Sequence, residues 1–119
     1  MASSHFIRGE MRGADVPDWK PLETILGSDE LCAYFMWMFE VELADGTVLN
    51  AYKHRLTRCY LHLAADGRTY YYAGDHNYGT VDPAVAIAAV FRGRVRPSLT
   101  ASERRALRSA LRRASRPAT

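Results

Sequence analysis

Cysteine is nearly absent from this sequence, with only Cys32 and Cys59 among its 119 residues. Two cysteines cannot build a disulfide framework, and no CxxC or Cys/His cluster stands at zinc spacing. The composition therefore calls for no metal and no cofactor, and a reduced, cytoplasmic compartment is the expected one. Long apolar runs are missing too. The longest, Leu31–Phe39, falls far short of the roughly 20 residues that span a bilayer, so no membrane contact is expected. The first residues, MASSHFIRGEMRG, contain no continuous apolar segment of the kind a targeting signal needs. No helix-turn-helix, P-loop, Rossmann, zincin or nucleophile-elbow pattern occurs, which removes the commonest sequence-level warrants for an enzyme.

Lysine is scarce, since 14 of the 16 basic residues are arginine. Their placement is uneven. Residues 1–91 carry 7 Lys and Arg against 12 Asp and Glu, a net of −5, whereas residues 92–119 carry 9 Arg against Glu103 alone, a net of +8. An acidic body with a basic tail is the pattern of a chain that meets phosphates, or of a tail that docks on acidic protein.

What is present is a long β pattern. In LCAYFMWMFEVEL (Leu31–Leu43) every odd position is apolar, and the even positions change from apolar to Glu40 and Glu42. This is the period of a strand, buried on both faces at first and on one face later, with a short helix as the competing reading of its first residues. Two Asp-Gly pairs, Asp45-Gly46 and Asp66-Gly67, separate strand-like runs and predict two hairpins. Read as two-residue loops, they pair Val41 with Asn50, Phe39 with Tyr52 and Trp37 with His54. The second hairpin then pairs Leu63 with Tyr70, Leu61 with Tyr72 and His62 with Tyr71. The expected fold is α+β: a four-stranded antiparallel sheet from these hairpins, with Cys32 and Cys59 as buried strand residues.

Around that sheet the sequence predicts a flexible N-terminus (1–16), an α+β domain (17–96) and a basic helix and tail (97–119). A short helix runs from Asp18 to a Gly27 stop. Gly74–Val81 reads as a loop by its Gly, Asp and Asn content. Asp82-Pro83 opens a helix that is apolar nearly all round and must be buried, and Arg92–Arg96 links it onward. Thr100-x-x-Glu103 forms a capping box for the last helix, with Ala106, Leu107, Ala110, Leu111 and Ala114 on one side.

The other side of that helix carries the candidate nucleic-acid contacts Arg104, Arg105, Arg108, Arg112 and Arg116, set against the simpler role of a solvated face. A second candidate surface is the outer face of the second hairpin, with Tyr60, His62 and Tyr71 available for base stacking and Arg58 and Arg68 for backbone phosphate. Tyrosine is common in strands for packing reasons alone, which is the competing explanation. His54, His62 and Asp75-His76 form no constellation that the predicted strands force together. The expected function is a non-enzymatic binding module contacting nucleic acid. The alternative is a protein-interaction module, self-associating or docking its basic helix on an acidic protein surface.

Overall fold

A computed structural model describes residues 5–93 and 97–115. Six strands follow the chain: β1 (Phe6–Arg12), β2 (Phe35–Leu43), β3 (Val48–His54), β4 (Tyr60–Ala64), β5 (Thr69–Gly74) and β6 (Asn77–Val81). Each pairs antiparallel with the next, and β6 returns to pair with β1, so the sheet is a closed barrel. Helices α1 (Lys20–Leu26), α2 (Asp29–Cys32), α3 (Pro83–Val90) and α4 (Ala101–Ala114) complete the fold. No helix among the described residues is long and apolar enough to cross a membrane.

The chain does combine helices with antiparallel strands, but the expected four-stranded sheet is corrected to a six-stranded barrel. The two additional strands lie in Phe6–Arg12, where a frayed terminus was expected, and Asn77–Val81, where a loop was expected. Both are short, and Gly9 and Gly79 interrupt the apolar alternation that marks a strand, leaving it too brief to read. Gly9 is required there. A Cβ on it would come within 2.8 Å of Val41 and Leu43 and 3.0 Å of Tyr78, so only glycine lets β1 close against the lumen side chains.

Register is corrected as well. Val41 opposes Leu49, Phe39 opposes Ala51, Trp37 opposes Tyr52 and Phe35 opposes His54, with a bulge between Trp37 and Phe39. In the second hairpin His62 opposes Tyr70 and Leu63 opposes Thr69. The cause is the turn. Leu43 N donates to Thr47 O and Gly46 N to Leu43 O, with Gly46 at φ 90°; Ala64, Arg68 and Gly67 (φ 93°) repeat the arrangement. These are three-residue loops with a left-handed glycine, and each shifts pairing by one residue relative to a two-residue Asp-Gly turn. The β5–β6 turn differs, being a two-residue loop with Asp75 (φ 51°) and His76 (φ 64°) both left-handed.

The barrel wall is apolar on both sides, giving two cores. Outside β2–β4, Phe35, Tyr52, Leu61 and Leu63 pack with Leu22, Leu26, Leu31, Ile87, Val90 and Phe91 from the helical segments. Inside, Val41, Leu43, Leu49, Ala64, Tyr70 and Tyr78 fill the lumen, with Ile7 and Phe39 against them. The strand read as starting at Leu31 begins at Phe35, because Ser28 caps α2 through Leu31 N and turns the first apolar residues into helix. Cys32 therefore lies on α2 and Cys59 just before β4, both half-buried rather than buried in strands.

Helix α1 has Gly27 at φ 63° as its left-handed cap, and Arg113 donates to Leu26 O across it. Asp82 caps α3 as expected, although Val85 stays exposed, so the described residues cover this helix on one side only. The α4 capping box is complete, and Ala106, Leu107, Ala110, Leu111 and Ala114 pack on the outer core. Tyr34 Oη donates to Glu103 and Ser102 Oγ to Glu30, tying the start of α4 to the α2 region.

Closure through Gly9 makes a direct prediction. Gly9→Ala should cost about 1–3 kcal/mol by overpacking, while Gly13→Ala, whose added Cβ would meet nothing within 4 Å, should be near neutral. Phe35→Ala should cost about 3–5 kcal/mol. Urea unfolding curves decide this, and equal stabilities for the two glycine variants would refute the closure account.

Candidate functional site: an aromatic cleft at the barrel mouth

The barrel is incompletely zipped at the end away from the Asp-Gly turns. Strands β4 and β5 share only the pairs His62–Tyr70 and Leu63–Thr69, and the β1–β6 pairing stops at Arg8–Asn77. Beyond these points Tyr60 at the start of β4, Met11 on β1 and the β5–β6 hairpin splay apart. A cleft of about 610 Å³ opens there, within the range of small-molecule sites. Its walls are Phe39, Tyr60, Tyr71, Tyr72 and Tyr78, with Gly9 and Met11 beside them. Glu10 and His76 also line it.

His62 is the polar residue at the bottom. It is 5% exposed, stacked on Tyr60 at 5.8 Å and set edge-on to Tyr78 at 5.5 Å. No hydrogen bond links its imidazole to any described residue, although the one fully buried side-chain polar atom without a partner among the described residues is Nε2 of His54, not a nitrogen of His62. Burial pushes its pKa down to about 4, so the ring is neutral at physiological pH. The surrounding rings continue the set: Phe39 lies 6.1 Å from Tyr60 and Tyr72 lies 5.3 Å from Tyr78. Burial also raises the Tyr78 phenol, keeping it a donor. Tyr72 Oη accepts from His76 N at 3.2 Å.

Charge at the rim is compensated. Glu10 pairs with Arg8 at 3.1 Å and faces His76 Nδ1 at 3.6 Å. Phe6, Met11, Tyr60, Tyr71 and Tyr72 are exposed around this one end. Apolar exposure concentrated beside a hollow marks a binding surface more than scattered exposure does.

Tyr60 and His62 thus face the cleft, not an outer solvent face. The one-residue register shift and barrel closure turn what the sequence offers as an open surface into a lumen. Tyr71 sits over Gly79, whose Cβ would fall 2.8 Å from its ring. Arg68 is tied to Asp66 at 2.7 Å by the Asp-Gly turn, at the far end of the barrel, and Arg58 is exposed in the β3–β4 connection. Helix α4 packs with the other helices outside the wall, so its arginines and the Tyr60–His62 pair occupy opposite sides of β4. Arg104 donates to Leu99 O, while Arg105, Arg108 and Arg112 are exposed with no ion pair or hydrogen bond among the described residues. Arg116 lies outside the described residues, as do Arg94 and Arg96 of the linker.

His54 does not join the site. It lies on the outer face of β3, its Nδ1 accepting from Leu56 N and Thr57 N between the rings of Tyr34, Phe35 and Phe91. Among the described residues no group of three His, Cys, Asp or Glu could hold a metal ion. The sequence reading missed Gly9, Met11, Phe39, Tyr72 and Tyr78 as site residues. The alternation Ile7, Gly9, Met11 was the available sign of β1, too short to separate from chance.

The fold and cleft define a small closed antiparallel barrel, helix-covered on one side and open at one mouth. Comparison with protein-family models, with curated proteins and with solved structures finds no match to this chain.

His62 predicts a pH dependence. Its folded pKa lies below its unfolded value near 6.5, so the unfolded chain binds the proton more readily. Its contribution to stability is full above pH 6.5 and declines as pH falls towards 4, by about 1.4 kcal/mol per unit and roughly 3 kcal/mol in all. His54, also lowered by burial, adds in the same direction. Asp45, Asp66 and Glu103 are held low in the fold, so their losses come at more acid pH. Urea unfolding between pH 7.5 and 4.5 should show this slope, reduced in His62→Phe; a flat wild-type profile would contradict neutral burial.

Proposed function

We propose that this chain is a non-enzymatic binding module whose barrel mouth takes a small, uncharged ligand bearing an aromatic ring. The observation that carries this reading is His62, a neutral imidazole with no hydrogen-bond partner among the described residues, set in the lining of an aromatic cleft. A ligand that fills the cleft and donates to or accepts from the imidazole keeps it satisfied, whereas one that cannot leaves it unpaired at a cost of about 1–3 kcal/mol. The flat rings around it favour offset stacking and edge contacts with another ring. A charged ligand suits the cleft poorly. Its desolvation would go uncompensated beside a neutral imidazole and a Glu10 already paired.

Calorimetric titration with 4-methylphenol, indole and benzoate tests the reading. The two neutral compounds should bind and benzoate should not. His62→Phe should weaken 4-methylphenol at least tenfold, from loss of the hydrogen bond at the bottom. Absence of binding at millimolar concentration, or equal binding of benzoate, overturns it.

A second reading rests on a separate observation, the guanidinium groups of Arg105, Arg108 and Arg112 on α4, exposed and unpaired among the described residues. Such a row suits the phosphate backbone of nucleic acid more than an acidic protein face, because it needs no shape match. Binding of a mixed-sequence oligonucleotide should then fall steeply with salt. Changing the three to Gln should flatten the slope by roughly one unit per lost contact. Tyr71→Ala should leave it unchanged, since the cleft lies on the other side of the wall. No oligonucleotide binding at about 50 mM salt removes this second reading and leaves the first intact.

A further inference from the structure

A second hollow of about 180 Å³ lies against the first, lined by Cys59, Val85, Ala86 and Ala89 among others. It shares Tyr60 and Tyr71 with the cleft. The sharing has a structural cause. With only two residue pairs joining β4 to β5, the wall parts beyond them, and Tyr60 and Tyr71 stand on either side of the slit. The cleft lies inside the slit and the smaller hollow outside it, beneath α3.

The character of the two spaces differs. The cleft offers flat rings and His62, whereas the hollow adds to Tyr60, Tyr70 and Tyr71 an aliphatic wall of valine and alanine side chains from α3. That helix, PAVAIAAV, is apolar nearly all round, yet Val85 remains 59% exposed beside the hollow. The sequence makes α3 a buried helix, and the described residues cover only one side of it.

We infer that the ligand is bipartite, an uncharged aromatic head in the cleft and an aliphatic tail passing between Tyr60 and Tyr71 to lie under α3. This rests on the reading of the cleft as a ligand site and narrows its ligand to the alkyl-substituted aromatics. A second ring suits the hollow less well, because its volume is under a third of the cleft's and its helix wall is aliphatic.

A series of 4-alkylphenols from methyl to hexyl tests the tail separately from the head. Affinity should rise roughly fourfold per added methylene, the value for removing one from water, and level off once the hollow is filled. Ala86→Phe, which touches the hollow but not the cleft, should flatten the series while leaving 4-methylphenol unchanged. Should that variant fold poorly, Cys59 gives the same answer in the native chain. Hexylphenol should slow its alkylation by iodoacetamide, followed by mass spectrometry, and methylphenol should not. Binding of methylphenol with no dependence on chain length overturns the tail and leaves the cleft standing. A chain-length dependence that survives Ala86→Phe, with Cys59 unprotected, places the tail elsewhere and also overturns it. Failure of every phenol to bind overturns the cleft reading and the inference together.

Discussion

Closure of β1 onto β6 across Gly9 is the constraint on which the rest of the structure depends. Without that contact the six strands would form an open sheet with one face against the helices and one in water. Closure makes the second face a lumen, and Val41, Leu43, Leu49, Tyr70 and Tyr78 become core residues there. The contact succeeds because glycine at position 9 leaves room for the branched side chains of Val41 and Leu43. Edge strands, otherwise open to pairing with other chains, disappear with it.

The same closure is partial, and its partial character is what makes a site. Ladder pairing is continuous at the Asp-Gly end, where the three-residue turns hold β2–β3 and β4–β5 in register. At the other end β4 leaves β5 after two pairs and β1 outruns β6, so backbone cohesion gives way to a ring of aromatic side chains. The β5–β6 hairpin bounds the opening. Its turn places His76 at a left-handed position that glycine or asparagine would occupy more easily. Strain retained at a cleft rim, where His76 faces Glu10 and donates its N–H to Tyr72, accords with a role for the hairpin's geometry.

His62 and His54 show how two buried histidines on neighbouring strands take different roles. His54 sits in the outer core, where its Nδ1 organises the β3–β4 connection through two backbone N–H groups. His62 lies on the lumen side, and nothing among the described residues completes its hydrogen bonding. One closes a turn. The other leaves capacity to a ligand, and its burial in neutral form makes the fold acid-sensitive above the carboxylate range.

Local elements were legible because local physics decides them. The capping box at Thr100 and Glu103, the Asp82 cap, the Gly27 stop and the small apolar side of α4 are all visible in a few adjacent residues, and each forms as read. The alternation in Phe35–Leu43 and the existence of both hairpins were equally plain. Tertiary structure alone decided the rest. Whether Asp-Gly closes a two- or three-residue loop depends on how the strands twist against their neighbours, and that one-residue difference, with the further shift at the Trp37–Phe39 bulge, sets the cross-strand pairs. FIRGEMR and NYGTV are strands because β2 and β5 present ladders to them, not because their own residues prefer extension. Tyr60 and His62 could be read as an exposed stacking face because period 2 separates two faces without saying which meets water. The barrel puts both in its mouth, since only closure, made by residues far apart in sequence, defines an inside.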